Sequence, residues 1–253
     1  MSDAAPPPLA DWDGWALFLD IDGTLLDLAP TPDEVIVPAT LPHRLDSLTA
    51  KLSGALALIS GRSLTEIDRL FPDRHDVAGT HGVELRAGGV QAMLATAWPD
   101  DLTAAIRAAA GRLPGVLVER KTCAVALHHA RVPHQAGAVL SLAESVIAGA
   151  AVPLRLLLGK GVVELVPDGA GKGRAIERFM ENPPYLGRTP VFVGDDVTDE
   201  DGFAAVNRMG GMSIHVGDRP SAATYRLSNP ASVRCWLAHL DGLTGDMNDH
   251  EHT

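Results

Sequence analysis

Leu17-Phe18-Leu19-Asp20-Ile21-Asp22-Gly23-Thr24-Leu25 is the stretch on which the fold turns. The run from Trp15 to Leu19 is apolar without alternation, the pattern of a strand buried on both faces inside a parallel sheet. It stops at a carboxylate, and a second carboxylate follows two residues later. Gly23 then permits a sharp turn, and Thr24 adds a hydroxyl. Like charges this close repel and desolvate badly, so such a strand makes a poor core element unless the acids have a use. A lone Asp-x-Asp reads equally well as a polar turn in water. The rest of the chain separates the two readings.

Two further apolar runs end the same way. Ala55 to Ile59 leads into Ser60-Gly61-Arg62, and Val191 to Val193 leads into Gly194-Asp195-Asp196-Val197-Thr198-Asp199-Glu200. Strands of a parallel sheet deliver their C-terminal ends to one edge, and ligands bind along that edge. Asp20, Asp22, Asp195, Asp196 and Asp199 would then crowd one pocket, which repulsion forbids without a cation among them. Mg2+, a hard ion that takes oxygen ligands and pairs with phosphate, is the expected cofactor. Lys172 opens a helix between glycines and adds positive charge beside a helix N-terminus, itself an attractor of anions. Singly, Ser60 reads as a turn residue, Lys172 as solvated surface, and Asp195-Asp196 with Asp199 as a helix cap. Together, in this order and at these strand ends, they read as a phosphoryl-transfer site with a carboxylate nucleophile.

The bulk numbers agree with a soluble enzyme. The chain has 253 residues, enough for one large α/β domain or two smaller ones. A hydrophobic share of 46% and a charged share of 21% are ordinary for globular proteins. A net charge of -11 argues against nucleic acid as partner. No secretory signal or membrane-length apolar run is visible, so a cytoplasmic, monomeric enzyme acting on a small molecule is the expectation. Cys123 and Cys235 give no disulfide framework.

Periodicity predicts helices at about 40–52, 63–71, 102–113, 134–148, 172–180, 199–208 and 230–240. Ser63 and Glu66 form a capping-box pattern, and Asp100 or Asp101 is the expected cap of the third helix. Residues 27–33 read as a proline-rich loop, 1–14 as a loose lead-in and 244–253 as a disordered tail. Strand-like runs at 116–118, 123–128, 154–158 and 162–166 alternate with two of the helices. That makes an α+β module of its own, expected as an insertion at 88–167 between core segments 1–87 and 168–253.

The four motifs in this order resemble those of the haloacid dehalogenase superfamily of phosphatases. The resemblance implies an α/β fold with a Rossmann-like parallel-sheet core and an inserted cap over the substrate. It also implies that Asp20 attacks phosphorus and becomes an aspartyl phosphate. Asp22 protonates the leaving oxygen and then activates water, and Ser60 and Lys172 hold the phosphoryl oxygens. Mg2+ is held by Asp20, Asp22 (through its carbonyl) and Asp195, with Asp196 or Asp199 on its waters.

Within that superfamily, several stretches are similar to trehalose-6-phosphate phosphatases. These are Gly79-Thr80-His81-Gly82-Val83-Glu84, Glu119-Arg120-Lys121 with His128, Lys160 with Glu164, and the run Gly194 to Glu200 followed by Gly202-Phe203. The resemblance places Glu119, Lys121, Lys160 and Glu164 on the sugar hydroxyls, with His81 and Arg62 at the cap–core cleft and Gly23, Thr24 and Gly61 also lining the substrate. It implies hydrolysis of trehalose 6-phosphate, the alternative being another sugar phosphate such as sucrose or glucose 6-phosphate. After His128 the chain reads His129-Ala130-Arg131 where those enzymes continue Tyr-Arg. A signalling receiver would share the acidic pocket but has no use for a cap or for Asp22, and a silent binding protein has no use for an intact acid pair. Glycine-containing hinges are expected near 86–90 and 166–171.

Overall fold

A computed structural model of the chain describes residues 7, 12–29, 34–72, 75–93, 98–121, 123–159 and 161–242. The predicted lead-in and proline-rich loop fall only partly among these residues. The predicted tail and Lys160 lie outside them.

The first strand, β1 (Trp15–Leu19), is buried at every position and lies at the heart of an eight-stranded sheet. It pairs in parallel with β2 (Leu56–Ile59) on one side and β10 (Thr189–Gly194) on the other. Strand β3 (Asp76–Gly79) continues the parallel order beyond β2, and β11 (Met212–Val216) and β12 (Tyr225–Leu227) continue it beyond β10. The unbroken apolar runs therefore mean what parallel sheets demand, cover on both faces. The ends of β1, β2 and β10 consequently meet at one edge.

Two layers of helices supply that cover: α1 (Leu41–Lys51), α2 (Leu64–Leu70), α5 (Lys172–Met180), α6 (Glu200–Arg208) and α7 (Pro230–Leu240). The Ser63–Glu66 capping box starts α2 as the sequence indicated. Asn229 caps α7 by accepting the Ser232 N–H at 2.8 Å, with Pro230 in the first turn. Ala175, Ile176 and Phe179 turn one face of α5 onto the sheet. There Phe179 and Phe18 pack on Tyr185, whose hydroxyl donates to the Leu56 carbonyl at 3.1 Å and to Asp76 at 2.8 Å. Side chains of this size, fully buried, each contribute about 1.5–3 kcal/mol.

A second sheet stands apart, with its own apolar core around Ile106, Val125, Leu127, Val139 and Leu165. Its four antiparallel strands run in the order β6 (Leu117–Arg120), β7 (Val125–His128), β9 (Val162–Pro167) and β8 (Leu154–Gly159), backed by α3 (Asp100–Ala110) and α4 (Ala136–Gly149). This is the helix–strand–strand–helix–strand–strand order read from the sequence.

Four details differ from the reading. The large sheet does not stop before 88: β4 (Glu84–Ala87) and β5 (Val90–Met93) form a hairpin on its edge, because Gly88 and Gly89 both take positive φ and turn the chain back. The N-cap of α3 is Pro99, so neither Asp100 nor Asp101 caps it. The short strand β12 had no periodic signal. Helix and strand limits elsewhere move by one to three residues.

His215 on β11 is 1% exposed, and neither ring nitrogen has a hydrogen-bond partner among the described residues. Burial, then the nearby Arg219 and Arg226, lower its pKa to about 4. The native state keeps this ring neutral while the unfolded chain protonates it below about 6.5, so stability falls as pH drops from about 6.5 towards 4. His215→Leu removes both the titration and the unpaired nitrogens. Its unfolding midpoint, followed by circular dichroism from pH 7 to 4.5, is expected to fall less than that of the parent. An equal fall contradicts the assignment.

Candidate active site

Asp20 follows β1 directly and is 4% exposed. Lys172, the first residue of α5, reaches across to it: Nζ donates to Asp20 Oδ1 at 2.7 Å and to Asp199 Oδ1 at 2.5 Å. The other oxygen of Asp199 accepts the backbone N–H groups of Asp195 (2.9 Å) and Asp196 (2.8 Å). Asp199 thus has both oxygens committed, one to Lys172 and one to the turn that follows β10. The cap expected at Asp195-Asp196 falls on Asp196, with Asp199 three residues on in the same capping box, and this coexists with the place of Asp199 in the acidic group.

Asp195 lies on the far side of Asp20. The Thr24 hydroxyl sits between them, 3.3 Å from Asp195 Oδ1 and 3.4 Å from Asp20 Oδ2. Oxygens of Asp20, Asp195 and Asp199 gather within 4.8 Å of one another. Gly23, at φ 77°, is required here, since a β-carbon would run into the Asp195 carboxylate.

Three carboxylates facing one ammonium leave the site short of positive charge. Burial raises the Asp20 pKa well above the carboxylate range; Lys172 opposes that, while Asp199 and Asp195 reinforce it. Burial and then Asp199 lift Asp195 to about 7. For Lys172, burial alone would favour the neutral amine, but Asp199 and Asp20 outweigh it and the proton is held tightly. A divalent cation among these oxygen donors would balance that charge. The residues fit Mg2+, with Asp20 and Asp195 as the acids that keep oxygens available.

Asp22 and Asp196 do not join that three-acid group. Asp22 turns to Arg62, which donates to it in a two-pronged pair at 2.6 and 2.7 Å. Asp196 lines the cleft beside β8. Ser60, nearly fully buried after β2, accepts the Arg62 N–H at 3.1 Å.

The second sheet closes the cleft from above. Glu164 on β9 accepts Lys121 Nζ at 2.7 Å and faces His81 Nε2 at 3.0 Å. Burial would raise the Glu164 pKa, but His81 and Lys121 together hold it far below the usual range. Lys121 also donates to the Gly61 carbonyl at 3.3 Å, so this cluster bridges the two sheets. Glu119 on β6 pairs with His128 of β7 at 2.7 Å, which lowers its pKa. All these groups face one cavity of about 410 Å³ that also contains Asp20, Lys172 and Asp195. Of the residues expected at the sugar, Glu119, Lys121, Glu164 and His81 are brought together.

The sequence reading missed Glu66, Leu157 and Val162, which also line the cavity. Glu66 was read only as a cap, and the other two only as strand residues. It also missed Glu84, 6% exposed, whose carboxylate accepts the Leu64 N–H at 2.6 Å behind the Arg62 turn.

Among solved structures, that of the Candida albicans trehalose-6-phosphate phosphatase C-terminal domain has the same fold, with a TM-score of 0.82 at 20% identity over 96% of this chain and all of that one. Trehalose-6-phosphate phosphatase of Escherichia coli (strain K12) is 43% identical over 227 residues, 88% of this chain and 85% of its own. A "Probable trehalose-phosphate phosphatase" of Sinorhizobium fredii (strain NBRC 101917 / NGR234) is 48% identical over 210 residues, 82% of this chain and 79% of that one. The trehalose-phosphatase family model matches residues 18–231, a span that contains every acid, the serine and the lysine of the site, and the chain belongs to that family.

Proposed function

We propose that this chain is an Mg2+-dependent phosphatase that hydrolyses trehalose 6-phosphate to trehalose and phosphate. The observation that carries the reading is Asp20, buried at the floor of a cavity with Lys172 and Asp195 beside it and the charged cluster Lys121–Glu164–His81 above it. In this reading the unit from 98 to 167 is the cap that selects the sugar.

Asp20 attacks phosphorus in line. The new bond joins its oxygen to phosphorus while the bond from phosphorus to the sugar O6 breaks, and Asp22 gives its proton to the departing oxygen. Water then attacks the aspartyl phosphate, with Asp22 taking the proton back and Asp20 released. Asp22 begins this sequence paired with Arg62. A phosphate dianion is a better partner for a guanidinium than a half-exposed carboxylate, so its arrival frees Asp22 to take up a proton from solvent and carry it towards the leaving oxygen. Ser60 and Lys172 hold the remaining phosphoryl oxygens, and Asp20, Asp195 and the Asp22 carbonyl would hold Mg2+. Bound there, the ion neutralises charge on the phosphoryl oxygens and spares Lys172 from balancing three acids alone.

Lys121, Glu164 and Glu119 offer a disaccharide charged hydrogen-bond partners already fixed in place. Hydrogen bonds to charged groups are worth up to about 1.5–3 kcal/mol each, less what the group gives up from its existing partner in the cluster.

Asp20→Asn is expected to lower turnover at least about a thousandfold while circular dichroism and the unfolding midpoint stay near the parent's. Activity within tenfold of the parent assigns the nucleophile elsewhere. On a panel of trehalose, sucrose and glucose 6-phosphates, trehalose 6-phosphate should give the highest kcat/KM. Glu164→Gln should lower that value by about ten- to a hundredfold and leave glucose 6-phosphate within a few-fold; equal losses on both would remove Glu164 from sugar selection. Because the metal-free Asp195 binds a proton up to about pH 7, the Mg2+ concentration for half-maximal rate should rise as pH falls below that value, approaching about tenfold per pH unit. A half-saturation that stays flat from pH 7.5 to 5.5 contradicts a competition between proton and metal at this carboxyl.

A further inference from the structure

We propose that Arg219 is a positioning residue for Asp195: it fixes the backbone from which that carboxylate is presented to the metal. The inference rests on the metal reading above and adds a residue outside the four motifs. Asp195 and Asp196 leave β10 in a turn whose peptide groups are held from two sides. On the N–H side, both amides donate to Asp199 Oδ2. On the carbonyl side, Arg219 Nε donates to the Asp195 carbonyl at 3.1 Å and its Nη2 to the Asp196 carbonyl at 2.6 Å.

The fork is itself held in register. Nη2 also pairs with Glu200 Oε1 at 2.6 Å, and Glu200 Oε2 accepts the Ala222 N–H at 3.0 Å. Arg226 donates to the carbonyls of Arg219, at 3.0 Å, and of Gly217. The loop after β11 is thereby stapled onto the acidic turn. A guanidinium suits this place because its planar fork meets two neighbouring carbonyls at once, which an ammonium does not.

The consequence is chemical as well as mechanical. Mg2+ requires near-ideal octahedral geometry, so a turn that wanders by a fraction of an ångström offers Asp195 in a poorer place. In this role Arg219 touches neither substrate nor metal.

The test is Mg2+ titration of the full-length, metal-free protein by calorimetry, with the unfolding midpoint in EDTA as a check on folding. Arg219→Gln is expected to weaken Mg2+ binding about tenfold, and Arg219→Lys, able to serve one carbonyl, by about threefold. The half-saturating Mg2+ for turnover should move in parallel, while KM for the sugar phosphate at saturating Mg2+ stays within about twofold. Arg178→Gln, which breaks only the exposed pair with Glu181, should leave Mg2+ binding unchanged. Should Arg219→Gln fold poorly, Arg219→Lys and Glu200→Gln carry the comparison. A parent protein that takes up no Mg2+ overturns the metal reading, and this one with it. Mg2+ binding that is normal in the Arg219 and Glu200 variants, or a loss confined to KM or to the unfolding midpoint, overturns the positioning role alone.

Discussion

Everything in this fold is arranged around three clustered carboxylates, two of which share one ammonium. Asp20, Asp195 and Asp199 come from two adjacent parallel strands, and Lys172 comes from the helix that opens just beyond a glycine. A buried ion cluster of this kind is a poor way to gain stability, because desolvation of each charge offsets much of the attraction. An apolar core at the same strand ends would be cheaper to fold. The cluster is intelligible as a site whose imbalance of charge is corrected only when a cation and a phosphate arrive together. Asp199 and Asp195 are therefore not equivalent acids, although the motif spaces them as if they were. One is consumed in holding the turn and the lysine, and the other keeps its oxygens for a ligand.

A second constraint lies in the backbone between β3 and β4. Thr80 and His81 both adopt left-handed conformations, with φ of 46° and 53°, which neither residue type favours. The conformation persists because its backbone groups are held from several sides. Thr80 N–H donates to the Arg62 carbonyl and His81 N–H to that of Ser60, while the His81 carbonyl accepts the N–H of Gly171. Gly82 must also be glycine, at φ 89° with the Gly171 carbonyl against the place of its β-carbon. This one strained turn therefore ties the serine loop to the residue preceding Lys172. Its histidine side chain then continues the connection into the second sheet through Glu164.

How much of this was legible in the chain follows from what each signal encodes. Unbroken apolar runs report burial on both faces, so β1, β2 and β10 could be placed in one parallel sheet, whose shared C-terminal edge brings their terminal residues together; that they are immediate neighbours was not legible. The helix–strand order of the second sheet was equally plain, since short apolar runs sit between two stretches of helical period. The hairpin β4–β5 was only half visible: β5 is exposed at all four positions and leaves no periodic apolar trace. Strand β12 has three residues, too few for any period to register. Side-chain pairing was beyond reach for a different reason. That Asp22 would meet Arg62, or that Asp199 would spend both oxygens within the fold, depends on rotamers and on distances between segments, which no spacing in the sequence specifies.

The cavity's upper wall raises a question of energetics that bears on selectivity. Lys121, Glu164 and His81 are joined to one another before any sugar arrives. Hydroxyl groups that enter must share these charges rather than find them idle, so each new hydrogen bond gains only the difference between a sugar partner and the existing one. What favours the exchange is geometry. The Glu164 side chain is 9% exposed, and its carboxylate is held between Lys121 on one side and His81 on the other. A carboxylate held this way accepts a correctly placed hydroxyl with little reorganisation, and a ligand lacking that hydroxyl leaves the network as it was rather than broken. In the proposed function, discrimination among sugar phosphates would come from how many such exchanges a ligand completes while its phosphate is held at Asp20. Phosphate chemistry at the floor and hydroxyl reading at the roof would, in that function, be coupled through the cluster that bridges the two sheets, by way of Lys121 on the Gly61 carbonyl.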